Sequence, residues 1–177
     1  ESRFLIDRFR DHHLQVKNKL PEITSIGLES RQLDACVSVA VAGGYAGVFG
    51  SPYFGFHEDT LDVLERMPAL EKIWFWDVEF RNIDGVYALS KLREFGLPAK
   101  RPGIDFSRLP TLENLTWNYN AKDTGIGALK LLKRLYIWHH NPKSRSLADI
   151  EIPESVEELQ LNWINADSLQ DLPPLTN

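Results

Sequence analysis

Between Leu109 and His140 the apolar and polar positions fall into one short phrase written twice. Leu112-Glu-Asn-Leu115-Thr-Trp117-Asn-Tyr-Asn120 places apolar residues at relative positions 1, 4 and 6 and an asparagine at position 9. Leu132-Lys-Arg-Leu135-Tyr-Ile137 repeats the 1-4-6 spacing. Positions 4 and 6 are two apart, so in an extended strand both side chains point to one face while positions 5 and 7 point to the other. So short a unit cannot bury its apolar face alone. Stacked neighbours must cover it, which aligns the strands into a parallel sheet with a continuous core behind. Between the two copies the spacing changes to Ile126, Leu129, Leu132, and steps of three predict 3₁₀-like or helical returns on the outer side.

The phrase recurs along the chain. Leu70, Ile73 and Phe75 carry it, as do Leu92, Phe95 and Leu97, and Val156, Leu159 and Leu161. First positions fall at 70, 92, 112, 132 and 156, giving steps of 22, 20, 20 and 24. Strands are therefore predicted over residues 70–75, 92–97, 112–117, 132–137 and 156–161. Ile23-Thr-Ser-Ile26-Gly-Leu28 fits as an earlier strand, and Tyr45-Ala-Gly-Val48-Phe-Gly50 fits with glycine at position 6. Between these two, Val37, Val39 and Val41 alternate with small residues, which predicts a strand. Gly43, Gly44, Gly47, Gly50 and Gly55 mark a loop or a zone of close packing. Phe4, Leu5 and Phe9 have a helix-compatible spacing, so residues 1–22 read as an N-terminal cap closed by Pro21. Leu169, Leu172 and Leu175 continue the steps of three, and Leu175 occupies position 1 of a further strand. Residues 169–177 are thus expected to be a C-terminal cap, with Leu169 and Leu172 packed over the last layer, or a truncated repeat.

These residues resemble the leucine-rich-repeat superfamily, whose phrase is L-x-x-L-x-L-x-x-N, over about residues 23–177. The return I-x-x-V-x-x-L-x-x-L at Ile83–Leu92 is similar to the internalin-type 22-residue class, whose convex side is mostly 3₁₀ turns. Only Asn120 keeps the position-9 asparagine; Val78, Lys100, His140 and Ile164 stand there in other copies. The resemblance implies an α/β leucine-rich-repeat solenoid with a curved parallel sheet and short 3₁₀ or helical returns on the convex side. It implies one domain, with a cap at 1–22, repeats over 23–168, and the tail at 169–177. It also implies a binding scaffold, usually for protein ligands, without catalysis, and it allows a cell-surface adhesin.

Composition narrows the function classes. With 177 residues, 43% of them hydrophobic, one domain with a substantial core is expected. The net charge of −5 disfavours nucleic acid as a partner. Cys36 is the only cysteine, which rules out an internal disulfide and a four-cysteine zinc site and favours a cytoplasmic compartment. No apolar run approaches the ~18 residues of a membrane span. The adjacent pairs His12-His13 and His139-His140 point to opposite faces of an extended segment, poor geometry for a metal. His140 reads instead as a substitute for the position-9 asparagine, bonded inward. After His57-Glu58, Asp59 or Thr60 reads as the N-cap of a helix-like turn running to Met67. No G-x-S-x-G elbow and no glycine-rich phosphate loop is present. Cys36, between valines and alanines, reads as a buried small hydrophobe. No catalytic residue, cofactor or metal site is assigned. A hydrolase centred on residues 43–57 would need Cys36 or His57 as its working group.

The outward strand positions hold the candidate site. They carry Trp74, Trp76, Tyr119, Tyr136, Trp138 and Trp163, large rings of the type that dominates interface hot spots. Glu71, Lys133, Arg134 and Glu157 read as a polar rim around them. The rings could equally serve as packing elements over strand edges. Gly96, Pro98, Thr116 and Asn118 lie between the two main ring groups, so a shallow trough with a small-residue floor is expected. The reading is a non-enzymatic module that binds a protein on an aromatic-rich concave face. Carbohydrate binding is the alternative, because tryptophan and tyrosine platforms beside asparagine also suit sugar rings.

Overall fold

The structure is a computed structural model, and it describes residues 6–7, 24–170 and 172. Among the described residues eight strands form one sheet in sequence order. They are β1 (Ile6–Asp7), β2 (Ser25–Gly27), β3 (Gly47–Gly50), β4 (Lys72–Phe75), β5 (Glu94–Leu97), β6 (Asn114–Asn118), β7 (Arg134–Trp138) and β8 (Glu158–Asn162). β1 pairs antiparallel with β2, and every later pairing is parallel. The strands and the short 3₁₀ turns between them make an α/β solenoid, the architecture that the repeated phrase predicts. The registers keep like positions in line: Phe49, Trp74, Gly96, Thr116, Tyr136 and Gln160 form one row across the sheet.

Positions 4 and 6 do what the alternation requires. Ile73 and Phe75, Phe95 and Leu97, Leu115 and Trp117, and Leu135 and Ile137 are all buried. Behind them run 3₁₀ turns at Asp62–Arg66, Asp84–Ala88, Phe106–Arg108 and Ile126–Ala128. Their steps of three place Leu61, Leu64 and Met67, then Ile83, Val86 and Leu89, in the same core. Rings thread the layers by edge-on contact, Phe95 to Phe106 at 6.0 Å and Phe106 to Trp117 at 5.9 Å between centroids. Gly50 holds position 6 of its copy because a Cβ there would lie 2.7 Å from Phe75 and 2.8 Å from Phe56. The glycine-rich stretch is therefore a close-packing zone at this point.

Several expectations need correction. Val37, Val39 and Val41 do not form a strand; Leu33–Ala42 is an α-helix, α1. The valine alternation hides a helical face in which Cys36, Val37 and Ala40 are buried, a spacing of one and four. Val41 points to solvent. Asp59 and Thr60 do not cap the following turn, whose N-cap is Leu61 without a side-chain bond. Asp59 instead pairs with Arg81 of the next repeat, which pulls its carboxyl below the usual carboxylate range. Ile6–Asp7 is a strand, not helix, and the rest of the 1–22 stretch lies outside the described residues.

At the other end, Leu159 and Leu161 of β8 are only half-buried, unlike their equivalents in β7. Leu172 packs against the core, but Leu169 does not, with 64% of its surface exposed. Position 171 and positions 173–177, Leu175 among them, lie outside the described residues.

Candidate functional site

The outward face of the sheet is built row by row. Nearest the strand starts, positions 2 and 3 carry two lines of alternating charge, and these charges are spent on each other. Arg93 of one copy bonds Glu113 through Nε at 2.8 Å and Nη2 at 2.9 Å, and reaches Glu71 through Nη1 at 3.3 Å. Glu113 first, then Glu71, raise the Arg93 pKa, so this guanidinium stays charged. Lys72 pairs with Glu94 at 3.2 Å, Lys133 with Glu157 at 2.6 Å, and Arg134 with Glu158 at 3.5 Å. The predicted rim residues Glu71, Lys133, Arg134 and Glu157 thus form cross-strand ladders.

Further along the strands the face becomes aromatic, in two groups. The first gathers around Trp76, whose ring stacks on Phe49 at 6.1 Å and meets Phe54 edge-on at 5.7 Å. Phe54 also meets Tyr53 edge-on at 5.0 Å, and Tyr53 is 85% exposed. The 3₁₀ turn Pro52–Phe54 presents these two rings, and its start is fixed by Ser51, whose Oγ accepts the Tyr53 N–H at 3.2 Å. The sequence reading misses Phe49, Tyr53 and Phe54. Phe49 has a signal, since it holds position 5 of its copy; the other two follow the strand in a turn that the 1-4-6 phrase does not reach.

The second group lies on β7 and β8. Tyr136 donates its hydroxyl to Glu158 at 3.0 Å, which ties the ring to the charge ladder. Trp138 lies 6.0 Å from His139, and His139 lies 6.3 Å from Trp163, with the last two planes 31° apart. Asp77, His139 and Trp163 all hold position 8 of their copies and all have positive φ, 57°, 62° and 56°, so the left-handed step belongs to the turn that leaves the strand. For a residue as large as tryptophan this left-handed backbone is costly. Trp163 is 75% exposed.

The remaining predicted anchors are placed differently. Tyr119 packs inward against the core, its ring 4.1 Å from His140 and 5.3 Å from Trp117. Trp74 faces outward, as alternation requires, but its ring leans across the neighbouring strand. A Cβ at Gly96 would lie 2.7 Å from Trp74 Cε3, so glycine there makes room for the indole. The expected trough is therefore narrowed in the position-5 row, where Trp74 covers Gly96 and only Thr116 lies before Tyr136. In the position-7 row Pro98 and Asn118 lie between Trp76 and Trp138, and all four are half-buried. Asn118 donates its Nδ2 to the Leu97 carbonyl at 2.9 Å, which fixes this part of the floor.

The chemistry-bearing residues away from this face have structural partners. Asn120 donates to the carbonyls of Ala99 and Arg101 at 3.2 and 3.0 Å, the inward role of a position-9 asparagine. His140 takes that place in the next copy, buried, with Nε2 3.2 Å from Asp149. Cys36 is fully buried, and loss of water around the thiol raises its pKa, which works against thiolate chemistry. Among the described residues no group of three His, Cys, Asp or Glu side chains could hold a metal ion, and no helix is long and apolar enough to cross a membrane.

No protein-family model matches the chain, and no curated protein does. Among solved structures the chain is similar to an internalin, InlF, from Listeria monocytogenes, at 12% sequence identity and a TM-score of 0.46. That match covers 79% of this chain and 48% of the internalin, so the chain spans about half of that protein's length.

Proposed function

We propose that this chain is a non-enzymatic recognition module that binds a protein partner on the outward face of its sheet. The observation that carries the reading is the pair Trp163 and His139. Both are held at positive φ, and Trp163 is spent on solvent at 75% exposure, in one line of rings with His139 and Trp138. A large ring left in solvent beside two others is of the kind that anchors protein interfaces. The second ring group, around Trp76, Phe54 and Tyr53, supplies another anchor of the same chemistry. The 3₁₀ returns at Asp62–Arg66 and Asp84–Ala88 support an internalin-type repeat as the architecture that presents them.

A carbohydrate partner is less well supported. Stacking platforms for sugars need polar groups free to bond hydroxyls, and the charged side chains at positions 2 and 3 of this face are already paired across strands. The test is affinity capture from the native organism, run beside a glycan array. A captured protein whose retention depends on Trp138 and Trp163, with no glycan bound, is the expected result. A glycan bound through the same rings would replace this reading with the carbohydrate one.

A further inference from the structure

We infer that the ring group around Tyr53 and Trp76 takes an arginine side chain of the partner polypeptide, stacked on the rings and paired with Asp77. The inference rests on the recognition reading above and names what one end of the face holds.

The rings supply the platform. Phe49, Phe54 and Trp76 hold one another: Phe49 stacks on Trp76 at 6.1 Å, and Phe54 meets the two edge-on at 5.9 and 5.7 Å. This packing fixes the rings before anything binds, so little side-chain freedom is left to lose on contact. Tyr53 stands edge-on to Phe54 at 5.0 Å and keeps 85% of its surface in water. The face of a tyrosine ring is the negative end of its quadrupole and attracts a cation laid on it. The chain uses the same contact among its 3₁₀ returns, where the Arg108 guanidinium carbon lies 3.6 Å from the centre of the Tyr87 ring.

Asp77 supplies the charge. It follows Trp76 directly, in the turn that leaves β4, and it is exposed. Among the described residues its carboxylate has no ion pair and no hydrogen bond. The glutamates of the position-2 and position-3 rows differ, for Glu71, Glu94, Glu113, Glu157 and Glu158 each bond a cation of a neighbouring strand. Around the ring group the other charges offset each other. Glu79 pairs with Lys100 at 3.8 Å, and Glu29 and Arg31 flank Ser30, whose N–H bonds the Gly55 carbonyl just after Phe54. Asp77 therefore sets a local negative excess beside exposed ring surface.

Arginine fits this pairing better than lysine. A guanidinium is planar, so it can lie on a ring and still aim its fork of N–H groups at a carboxylate. An ammonium is more strongly hydrated, and one carboxylate replaces little of the water it gives up. The second ring group, Trp138, His139 and Trp163, makes no such offer. Glu158 there is bonded by Tyr136 and Arg134, and Asp167 by Arg145.

The test is selection of a random linear peptide library displayed on phage against the intact chain, after depletion on the Asp77→Asn variant. Asparagine is at ease at positive φ, and position 77 is exposed, so this variant keeps the fold. The expected result is that the peptides surviving depletion carry arginine. In synthesised peptides, replacing that arginine by citrulline, its neutral analogue, should weaken binding to the wild type about threefold and to Asp77→Asn by less. Tyr53→Leu keeps apolar bulk without a ring face and should weaken the arginine peptides about threefold, while Tyr53→Phe binds them like the wild type. No surviving peptide, survivors without arginine, or citrulline peptides that bind as tightly as arginine ones would overturn the inference. If the peptides fail while a captured protein still depends on Trp138 and Trp163, recognition stands and only the arginine contact is lost. A captured protein indifferent to those rings and to Tyr53 would sink the recognition reading itself.

Discussion

Arg101 and Asp123 face each other across neighbouring repeats in a two-pronged ion pair closed off from water. Their oxygen and nitrogen atoms meet at 2.6 and 2.8 Å, with 1% and 0% of the two side chains exposed. Asp123 also accepts the Ile104 N–H at 2.8 Å and the Trp117 Nε1–H at 2.7 Å. Arg101 gives its remaining Nη hydrogens to the carbonyls of Pro102 and Asn118. The pair locks the chain where it leaves the floor of the candidate site. Removing one partner strands a buried charge, which costs about 3–5 kcal/mol. Asp123→Ala should therefore lose about that much stability in urea denaturation. An Arg101→Met, Asp123→Leu double variant should lose much less than the two single changes added together. Additive losses would mean that the two groups do not act as a pair.

The core layers are not equal along the solenoid. Leu115 lies in the interior of the stack and is fully buried, whereas Leu159 in β8 is half-buried. Leu115→Ala should cost about 2–5 kcal/mol through the cavity it leaves. Leu159→Ala should cost clearly less, because the site starts partly wet and can relax. Denaturant melts of both variants check this, and equal losses would place Leu159 under a cover like that of Leu115.

Gly96 sets the position of Trp74. In Gly96→Ala the new Cβ would stand 2.7 Å from the indole. The ring is a side chain with room on its solvent side, so it should swing away rather than unfold the strand. The expected outcome is a red-shifted tryptophan emission with a melting temperature lowered only slightly. An unchanged spectrum would mean that the indole does not rest on Gly96.

The buried thiol of Cys36 and the half-buried phenol of Tyr119 give an alkaline signature. Burial raises the Cys36 thiol above its reference pKa of 9.0 and the Tyr119 hydroxyl above 10.0. The folded state holds these protons more tightly than the unfolded chain does. Their contribution to stability is therefore complete below pH 9 and is lost as pH rises through the raised values. Native Cys36 should resist a thiol-specific reagent at pH 8 and react at once in denaturant. Rapid labelling of the native chain would show that the site opens readily.

Much of this is legible in the sequence, for a definite reason. Leu115 and Trp117, or Leu135 and Ile137, sit two apart in a phrase repeated at near-constant spacing, and that period fixes both the strand and its buried face. The same alternation puts Trp74, Trp76, Tyr136 and Trp138 outward. It says nothing about where a ring lies once outside, so the lean of Trp74 over Gly96 and the stacking of Trp76 on Phe49 are not visible in it. Tyr119 lies beyond the last residue of β6, where strand alternation no longer governs direction, and it packs inward. The valines of α1 mislead because a small-residue helix beside a sheet can satisfy a two-residue alternation by accident. Arg101 and Asp123 are 22 residues apart and bear no local signature of burial. The rim residues look free in the sequence because ladders between copies arise only when the copies are stacked.

Partner binding through half-buried Trp138 of β7 and exposed Trp163 just after β8 is the reading that the ring geometry supports. It is tested most directly by titrating the captured protein into the wild-type chain, a Trp163→Ala variant and a Trp138→Ala variant, with Lys130→Ala as a control. Lys130 is exposed and follows the 3₁₀ turn Ile126–Ala128, away from the rings. Trp163 is exposed enough that its removal should leave the melting temperature unchanged. The account predicts that each tryptophan variant binds more weakly by over ~1 kcal/mol in calorimetry while Lys130→Ala binds like the wild type. Equal affinity for all four proteins, or a loss confined to Lys130→Ala, would contradict it.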